Sequence, residues 1–152
     1  MEDNWIYVGA FLDKESQTIL KNSFILPTGW IEYFDHMTLV YNDGTPCAEA
    51  AKSICEKLIK TYKHYVNLEV VAQGISDTAY AVLCTLPSGI PCTNKVAHIT
   101  LGCATEGKPV ESNYIVNWHM LTQPITLKAI IEIYRPANLQ NDEDPKNRNK
   151  LI

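Results

Sequence analysis

A four-residue pattern, His-x-Thr-Leu, occurs twice in this chain, each time inside an apolar segment. The first copy is residues 36–39 in "DHMTLVYN", and the second is residues 98–101 in "AHITLGCA". Residues i and i+2 of a β-strand point to the same face. Each copy therefore predicts a strand with a histidine and a threonine on one face and apolar residues on the other. Two distant strands must then present matching polar pairs, which restricts the fold more than any other feature of the chain.

The alternation assigns a face to each residue of the two strands. The expected polar faces are made of His36, Thr38 and Val40 and of His98, Thr100 and Gly102. The expected apolar faces are made of Met37, Leu39 and Tyr41 and of Ile99, Leu101 and Cys103. A strand with polar residues on one face and apolar residues on the other is typical of the floor of a solvent-filled cleft. Glycine at position 102 predicts open space in that cleft, where a ligand can approach the backbone.

The repeated residue types indicate acid–base chemistry at phosphorus. Imidazole exchanges protons near neutral pH, and a threonine hydroxyl can donate to an anionic oxygen. We predict that one histidine takes a proton from an attacking water and the other protonates the leaving oxygen. The candidate catalytic residues are His36, Thr38, His98 and Thr100. No cofactor and no metal are expected; a zinc site of Asp35, His36 and His98 is disfavoured because threonine is a poor zinc ligand.

The alternative for the same pattern is a pair of structural histidines with satisfied hydrogen bonds, or a decayed binding site. Weaker candidates for substrate binding are Lys95, which could lend positive charge to a phosphate, and three aromatic residues that could stack a base, Trp30, Tyr33 and Trp118. Such residues more often belong to the core, the rim or a solvated loop. His64 and His119 are weaker candidates still.

Composition excludes several classes of protein. The 152 residues fit one domain, which we place at residues 1–135, with a polar and weakly ordered tail at 136–152. The net charge of −4 argues against sequence-independent binding along an extended phosphate backbone. It permits binding of a nucleotide or a single RNA end. Five cysteines without a C-x-x-C pair favour reduced thiols in the cytoplasm or nucleus. With no signal peptide or membrane-length apolar run, we expect a monomer that is not secreted and has no contact with a membrane.

The order of elements favours an α+β fold with antiparallel strands. The predicted strands are 4–12, 36–42, 66–72, 78–86, 96–104 and 125–134. The predicted helices follow Asp13 and span about residues 46–65, the second with Thr45 as its cap and Ala51, Ile54, Cys55, Leu58, Tyr62 and Tyr65 on its apolar face. Residues 25–34 and 87–94 are predicted loops, and 107–121 is predicted as a loop with a helical turn or two.

The two His-x-Thr patterns resemble those that define the 2H phosphoesterase superfamily. "AHITLGCA" resembles the second motif of vertebrate 2′,3′-cyclic-nucleotide phosphodiesterases. The segments "YVGAFLDKES", "HMTL", "GISDTAYAV", "NKVAHITL" and "GKPVESNYIVNW" resemble the cyclic phosphodiesterase domain of fungal- and plant-type tRNA ligases. The resemblance covers roughly residues 5–134.

The resemblance implies a two-lobed 2H-phosphoesterase-like fold, with antiparallel sheets around a central cleft and flanking helices. It also implies metal-independent hydrolysis of 2′,3′-cyclic phosphate ends of RNA or nucleotides to 2′-phosphates. His36, Thr38, His98 and Thr100 match the catalytic set of the family. We assign His98 as the base and His36 as the acid, because Gly102 is expected to leave room for a water beside the second strand.

One departure leaves the substrate open. In the tRNA ligases this domain sits beside kinase and ligase domains, neither of which is seen in this sequence. The chain could act in RNA repair with an RNA ligase or kinase encoded elsewhere, or on 2′,5′-linked or cyclic signalling oligonucleotides. A non-catalytic module that binds nucleotides or proteins through the same cleft is the alternative from a different class.

Overall fold

A computed structural model of the chain describes residues 4–62 and 65–135. The strands are β1 (Tyr7–Leu12), β2 (Ile31–Glu32), β3 (His36–Tyr41), β4 (Tyr65–Ile75), β5 (Ala79–Thr85), β6 (His98–Cys103) and β7 (Trp118–Tyr134). The helices are α1 (Lys14–Ser23), α2 (Pro46–Tyr62) and a 3₁₀ helix at Pro109–Tyr114. The predicted tail at 136–152 and the weak candidate His64 lie outside the described residues.

The seven described strands form one antiparallel sheet in the order β2-β6-β5-β4-β7-β1-β3. The sheet curls, so that β3 at one edge approaches β6 near the other. Backbone bonds join the two sides: the amide of Phe34 donates to the carbonyl of Thr100 (3.2 Å), and the amide of Thr93 donates to the carbonyl of Leu39 (2.8 Å). The predicted α+β fold with antiparallel strands is therefore confirmed, and the curl places the two His-x-Thr strands near each other.

Both α-helices begin at the capping residues that the sequence indicates. The Asp13 side chain accepts a bond from the amide of Ser16 at the start of α1 (2.8 Å). The Thr45 hydroxyl accepts a bond from the amide of Ala48 at the start of α2 (3.2 Å). These bonds satisfy amides that have no partner within the first turn of a helix.

The buried face of α2 differs from the predicted one. Ala48, Ala51 and Cys55 are buried, whereas Ile54 is 45% exposed. The steps of three and four residues from 48 to 51 to 55 define the buried line, and position 54 lies about 100° around the helix from 55. Tyr65 was expected on the same helix, but it begins β4 and is exposed.

Two strands, β7 and β2, contain residues that the sequence does not predict as strand. β7 begins at Trp118 rather than at 125, because Met120 and Trp118 still pair with Ala72 and Gly74 of β4. The side chains of this first half are mostly exposed, so the sequence carries no apolar alternation there. β2 was likewise predicted as loop; it is held by pairing with β6 and has exposed side chains.

The main core lies between the sheet and the helices. It contains the inward residues of both His-x-Thr strands, with Met37, Leu39, Ile99 and Leu101 fully buried. All five cysteines are free thiols, and Cys55, Cys84 and Cys103 are buried. Within the described part of the chain, no helix combines the length and the apolar character needed to cross a membrane.

Candidate active site

Both His-x-Thr pairs line a single pocket between β3 and β6. The pocket is lined by Tyr33, Asp35, His36, Thr38, Asn94, His98, Thr100, Pro109, Val110 and Asn113. His98, Thr38 and Thr100 are each less than a tenth exposed. The sequence pattern predicted this convergence, and the curl of the sheet brings it about.

A β-bulge follows the threonine in each of the two strands. On β3, Thr38 pairs with Gly9 and Val40 with Val8, so Leu39 has no partner of its own. On β6, Thr100 pairs with Ala81 and Gly102 with Tyr80, which leaves out Leu101. A bulge adds one residue and so reverses the alternation of faces beyond it. The two strands therefore share an irregularity as well as a sequence pattern.

Because of the bulges, the residues after positions 39 and 101 point to the face opposite to the one predicted. Val40 was expected beside His36 in the cleft, but it is fully buried in the main core, and Tyr41 is 41% exposed. Cys103 was expected behind the second strand with Leu101. It packs instead in a small cluster with Tyr33, and that tyrosine lines the pocket.

Gly102 does not open the cleft as expected. A Cβ at this position would lie 2.5 Å from Cδ1 of Leu26 and 2.7 Å from the carbonyl oxygen of Ile31. Because the bulge turns residue 102 away from the pocket, the glycine instead allows β2 and Leu26 to approach the backbone of β6. The sequence-based reason for placing the water at His98 is therefore wrong.

The hydrogen bond of His98 determines which ring nitrogen is available. Nδ1 lies 2.9 Å from the carbonyl oxygen of Val96. A carbonyl only accepts, so Nδ1 carries the proton and the neutral ring presents an unprotonated Nε2. Burial lowers the pKa of His98 below its usual 6.5, the bond to Val96 opposes this, and the nearby His36 adds to the lowering. The ring is thus suited to accept a proton at Nε2.

His36 is held differently. Its Nδ1 lies 3.0 Å from Oδ1 of Asp35, which can only accept when ionised, and its Nε2 lies 3.2 Å from the hydroxyl of Thr38. The rings of Tyr7 and Phe11 stack on it, each with its centroid 5.4 Å away. Asp35 and the two aromatic rings therefore fix the orientation of the imidazole. Within residues 4–62 and 65–135, no three His, Cys, Asp or Glu side chains lie close enough together to hold a metal ion.

The two threonines are bonded to residues that no sequence pattern marks. The Thr100 hydroxyl lies 2.9 Å from the hydroxyl of Ser112, which is fully buried, and 3.3 Å from the carbonyl of Pro109. The backbone carbonyl of Thr38 accepts a bond from the side-chain Nδ2 of Asn94 (3.0 Å). Asn94 and Ser112 lie in a loop and a 3₁₀ helix, where neither strand nor α-helix periodicity marks a residue for the site.

The predicted binding residues are distributed over three places. Tyr33 lines the pocket, and burial raises the pKa of its hydroxyl, with smaller contributions from Cys103 and Asp35. Lys95 follows the pocket residue Asn94 in the sequence and is exposed, with Nζ 5.4 Å from the ring centroid of Tyr114. Trp30 lines a separate groove together with Leu26 and Phe34 among others.

Trp118 and His119 lie at the start of β7. The indole of Trp118 donates to the carbonyl of Ile115 (3.0 Å) and fills the space that a Cβ at Gly74 would need. This is a packing role in the sheet. His119 is exposed and pairs with Gln73 of β4 through the backbone.

Comparison with known proteins gives a family match and a match of fold. Residues 27–134, which include both His-x-Thr patterns, match the model of the fungal tRNA ligase phosphodiesterase domain. Of the solved structures, 47 chains match. One of them, described as "Crystal Structure of Fungal RNA Kinase", has a TM-score of 0.61 and 17% sequence identity, covering 89% of this chain and 46% of that chain. The chain thus spans about half the length of that structure, and the likeness is one of fold. No curated protein sequence matches the chain.

Proposed function

Because the chain belongs to the fungal tRNA ligase phosphodiesterase domain family, we propose that it hydrolyses 2′,3′-cyclic phosphate ends of RNA or nucleotides to 2′-phosphates. The family supports a cyclic phosphodiesterase activity in general. The observation that carries the finer proposal is the convergence of two histidines and two threonines on one pocket. We propose residues 1–135 as the domain, with an RNA kinase or ligase as the partner that completes the repair of the end.

His98 acts as the general base in this proposal. Its Nδ1–H donates to Val96, so Nε2 is free to take a proton from the attacking water. The water oxygen forms a bond to phosphorus as the bond from phosphorus to O3′ breaks. The support for this role is the burial of the ring and the hydrogen bond from Nδ1 to Val96, rather than space beside Gly102.

His36 acts as the general acid and protonates O3′ as it leaves. The Asp35 carboxylate accepts the proton on Nδ1, which leaves Nε2 to carry the proton that is transferred. The hydroxyls of Thr38 and Thr100 donate to the non-bridging oxygens of the phosphate. For Thr100 this requires that Ser112 donate to its hydroxyl, and that the proton of that hydroxyl turn from the carbonyl of Pro109 to the phosphate.

Lys95 and Tyr114 hold the rest of the substrate. Tyr114 is 68% exposed and follows the pocket residue Asn113. The ammonium of Lys95 lies over its ring. An exposed aromatic ring stacks a base, and an adjacent ammonium attracts a phosphate. Tyr114 thus takes the stacking role for which Trp30, Tyr33 and Trp118 were the candidates from the sequence. Tyr33 instead forms part of the pocket wall.

The test is turnover of a 2′,3′-cyclic nucleotide in the presence of a chelator, with the product identified by phosphorus NMR. We expect a 2′-phosphate. His36→Ala and His98→Ala should each lower the rate by about two orders of magnitude or more, the usual worth of general acid–base catalysis. His119→Ala is the matched control, since this histidine is exposed on β7, and it should retain the wild-type rate.

Three results would contradict the proposal. If either pocket variant kept most of its activity while its circular dichroism and melting temperature matched the wild type, the two-histidine mechanism would be wrong. A predominantly 3′-phosphate product would show that the substrate binds with its ester oxygens exchanged. Absence of turnover in the wild type on every cyclic phosphate substrate would leave only binding through this pocket.

A further inference from the structure

A buried amide in the pocket wall has an acceptor that the protein does not use. Asn113 belongs to the 3₁₀ helix Pro109–Tyr114 and is 8% exposed. Its Nδ2 donates to the carbonyl of Val110 (3.2 Å). Its Oδ1 is buried and accepts no hydrogen bond from any residue within 4–62 and 65–135. Buried polar atoms almost always have a partner, so an unused acceptor beside a catalytic pocket requires an explanation.

The amide cannot be turned around to remove this acceptor. The carbonyl of Val110 only accepts hydrogen bonds, so the atom that faces it must be the amide nitrogen. Exchanging the two atoms would set two acceptors against each other and leave the nitrogen without that bond. Val110 therefore determines that the oxygen is the end of the amide that receives no bond from the described residues.

An unused acceptor selects the kind of group that can bind there. Phosphate oxygens of a cyclic diester are acceptors at neutral pH and cannot pair with Oδ1. The attacking water has two hydrogens. General base catalysis requires that one of them point at the base. If the other is also held, the lone pair of the water oxygen that must attack phosphorus is oriented as well.

We propose that Oδ1 of Asn113 binds the attacking water together with Nε2 of His98, and so aims the water at phosphorus. This rests on the proposed function. Both residues line the same pocket. In the reaction one hydrogen of the water passes to His98, the other stays on oxygen and donates to Asn113, the water oxygen bonds to phosphorus, and O3′ leaves with a proton from His36.

The experiment compares water with methanol as the nucleophile. Methanol has a single O–H hydrogen, which it gives to His98, so it gains nothing from Asn113. In a water–methanol mixture with a 2′,3′-cyclic nucleotide, hydrolysis yields a phosphomonoester and methanolysis a methyl phosphodiester. Asn113→Leu, which keeps the approximate size, should lower kcat for hydrolysis about tenfold with little change in KM. The ratio of methyl ester to hydrolysis product should rise several-fold.

Asn117→Leu is the matched control, because this asparagine is exposed just beyond the same helix. It should leave kcat and the product ratio at their wild-type values. If Asn113→Leu does not fold, as judged by its melting curve, Asn113→Ala replaces it and is read by kcat alone, since the smaller side chain leaves extra room for methanol.

Each result decides between distinct conclusions. A fall in both products by the same factor would indicate a structural role for Asn113 and overturn the inference. A rise in KM with unchanged kcat would show that Oδ1 binds a hydroxyl or base of the substrate, and would also overturn it. If wild-type protein turns over no cyclic phosphate, the proposed function fails and this inference fails with it; turnover that is unaffected in Asn113→Leu refutes the inference alone.

Discussion

The two pocket histidines have opposite surroundings. His98 is buried and donates from Nδ1 to a neutral carbonyl, whereas His36 faces a carboxylate through the same ring atom. Burial disfavours the charged form of the His98 imidazole and lowers its pKa. The same residue type thus lies in two different environments in one pocket.

The pH dependence of the reaction follows from the burial of His98. The base must be unprotonated, so kcat/KM should fall as the pH drops through the acidic limb of the profile. Because burial lowers the pKa of His98 from 6.5, we expect this limb below pH 6.5. Because the leaving oxygen must also receive a proton, the profile should be bell-shaped, and its two limbs belong to the pair of histidines together. Initial rates with a cyclic mononucleotide measure it, and an acidic limb above pH 6.5 would argue against His98 as the base.

Replacement of Tyr114 should affect RNA more than a mononucleotide. With a short RNA that ends in a 2′,3′-cyclic phosphate, Tyr114→Ala should raise KM about five- to tenfold, the lower range for loss of one stacked base. The KM of a cyclic mononucleotide should change less. Tyr65→Ala removes another exposed tyrosine, at the start of β4, and should change neither value. Equal effects on both substrates would place the ring against the terminal nucleotide instead.

At the scale of elements, the bulges at Leu39 and Leu101 determine how each His-x-Thr strand is used. Before the bulge the strand presents a histidine and a threonine to the pocket; beyond it, Val40 and Gly102 turn toward the packed side. Each strand thereby supplies the pocket with two polar residues and still contributes to the core. The 3₁₀ helix then covers Thr100 through Ser112.

The packing at Gly102 predicts the cost of adding a methyl group. Gly102→Ala should lower the free energy of unfolding by about 1–3 kcal/mol, the usual cost of overpacking. The Leu26 side chain can move away, but the carbonyl of Ile31 at 2.7 Å is backbone and moves only if β2 shifts. Urea unfolding followed by circular dichroism measures the change. If residue 102 faced an open cleft, alanine would be tolerated, and unchanged stability would contradict the packing described here.

At the scale of the whole molecule, β7 holds the curled sheet together. Its residues 118–130 pair with β4. Near its end it pairs with β1, where Tyr134 and Ile133 lie opposite Tyr7 and Val8. β1 in turn pairs with β3, which carries the first His-x-Thr pair. The position of His36 relative to His98 therefore depends on the last residues of β7.

Truncation tests where the domain ends. Removal of residues 136–152 should leave the melting temperature and the turnover of a cyclic mononucleotide close to wild type, because the sequence of this tail is polar and charge-rich. Truncation after Ile131 is the control: it removes the pairs that Ile133 and Tyr134 make with β1 and should lower the melting temperature strongly. A large loss of stability on removing only 136–152 would show that the tail packs on the domain.

The sequence by itself determined the fold class, the strands of the repeated pattern and the four polar residues that meet in the pocket. It could do so because strand alternation and helix caps are local properties, readable from residues two to four positions apart. It also indicated the caps Asp13 and Thr45, and both are used.

Only the tertiary structure decided which residues complete the site. A bulge depends on the partner strand, so the faces of Val40, Gly102 and Cys103 could not be read from their own segments. Ser112 and Asn113 act through contacts with β6 and Val110, and a 3₁₀ turn gives no periodic signal that would mark them. The exposed half of β7 is a strand because β4 supplies hydrogen bonds to it, a condition that no pattern within residues 118–124 contains.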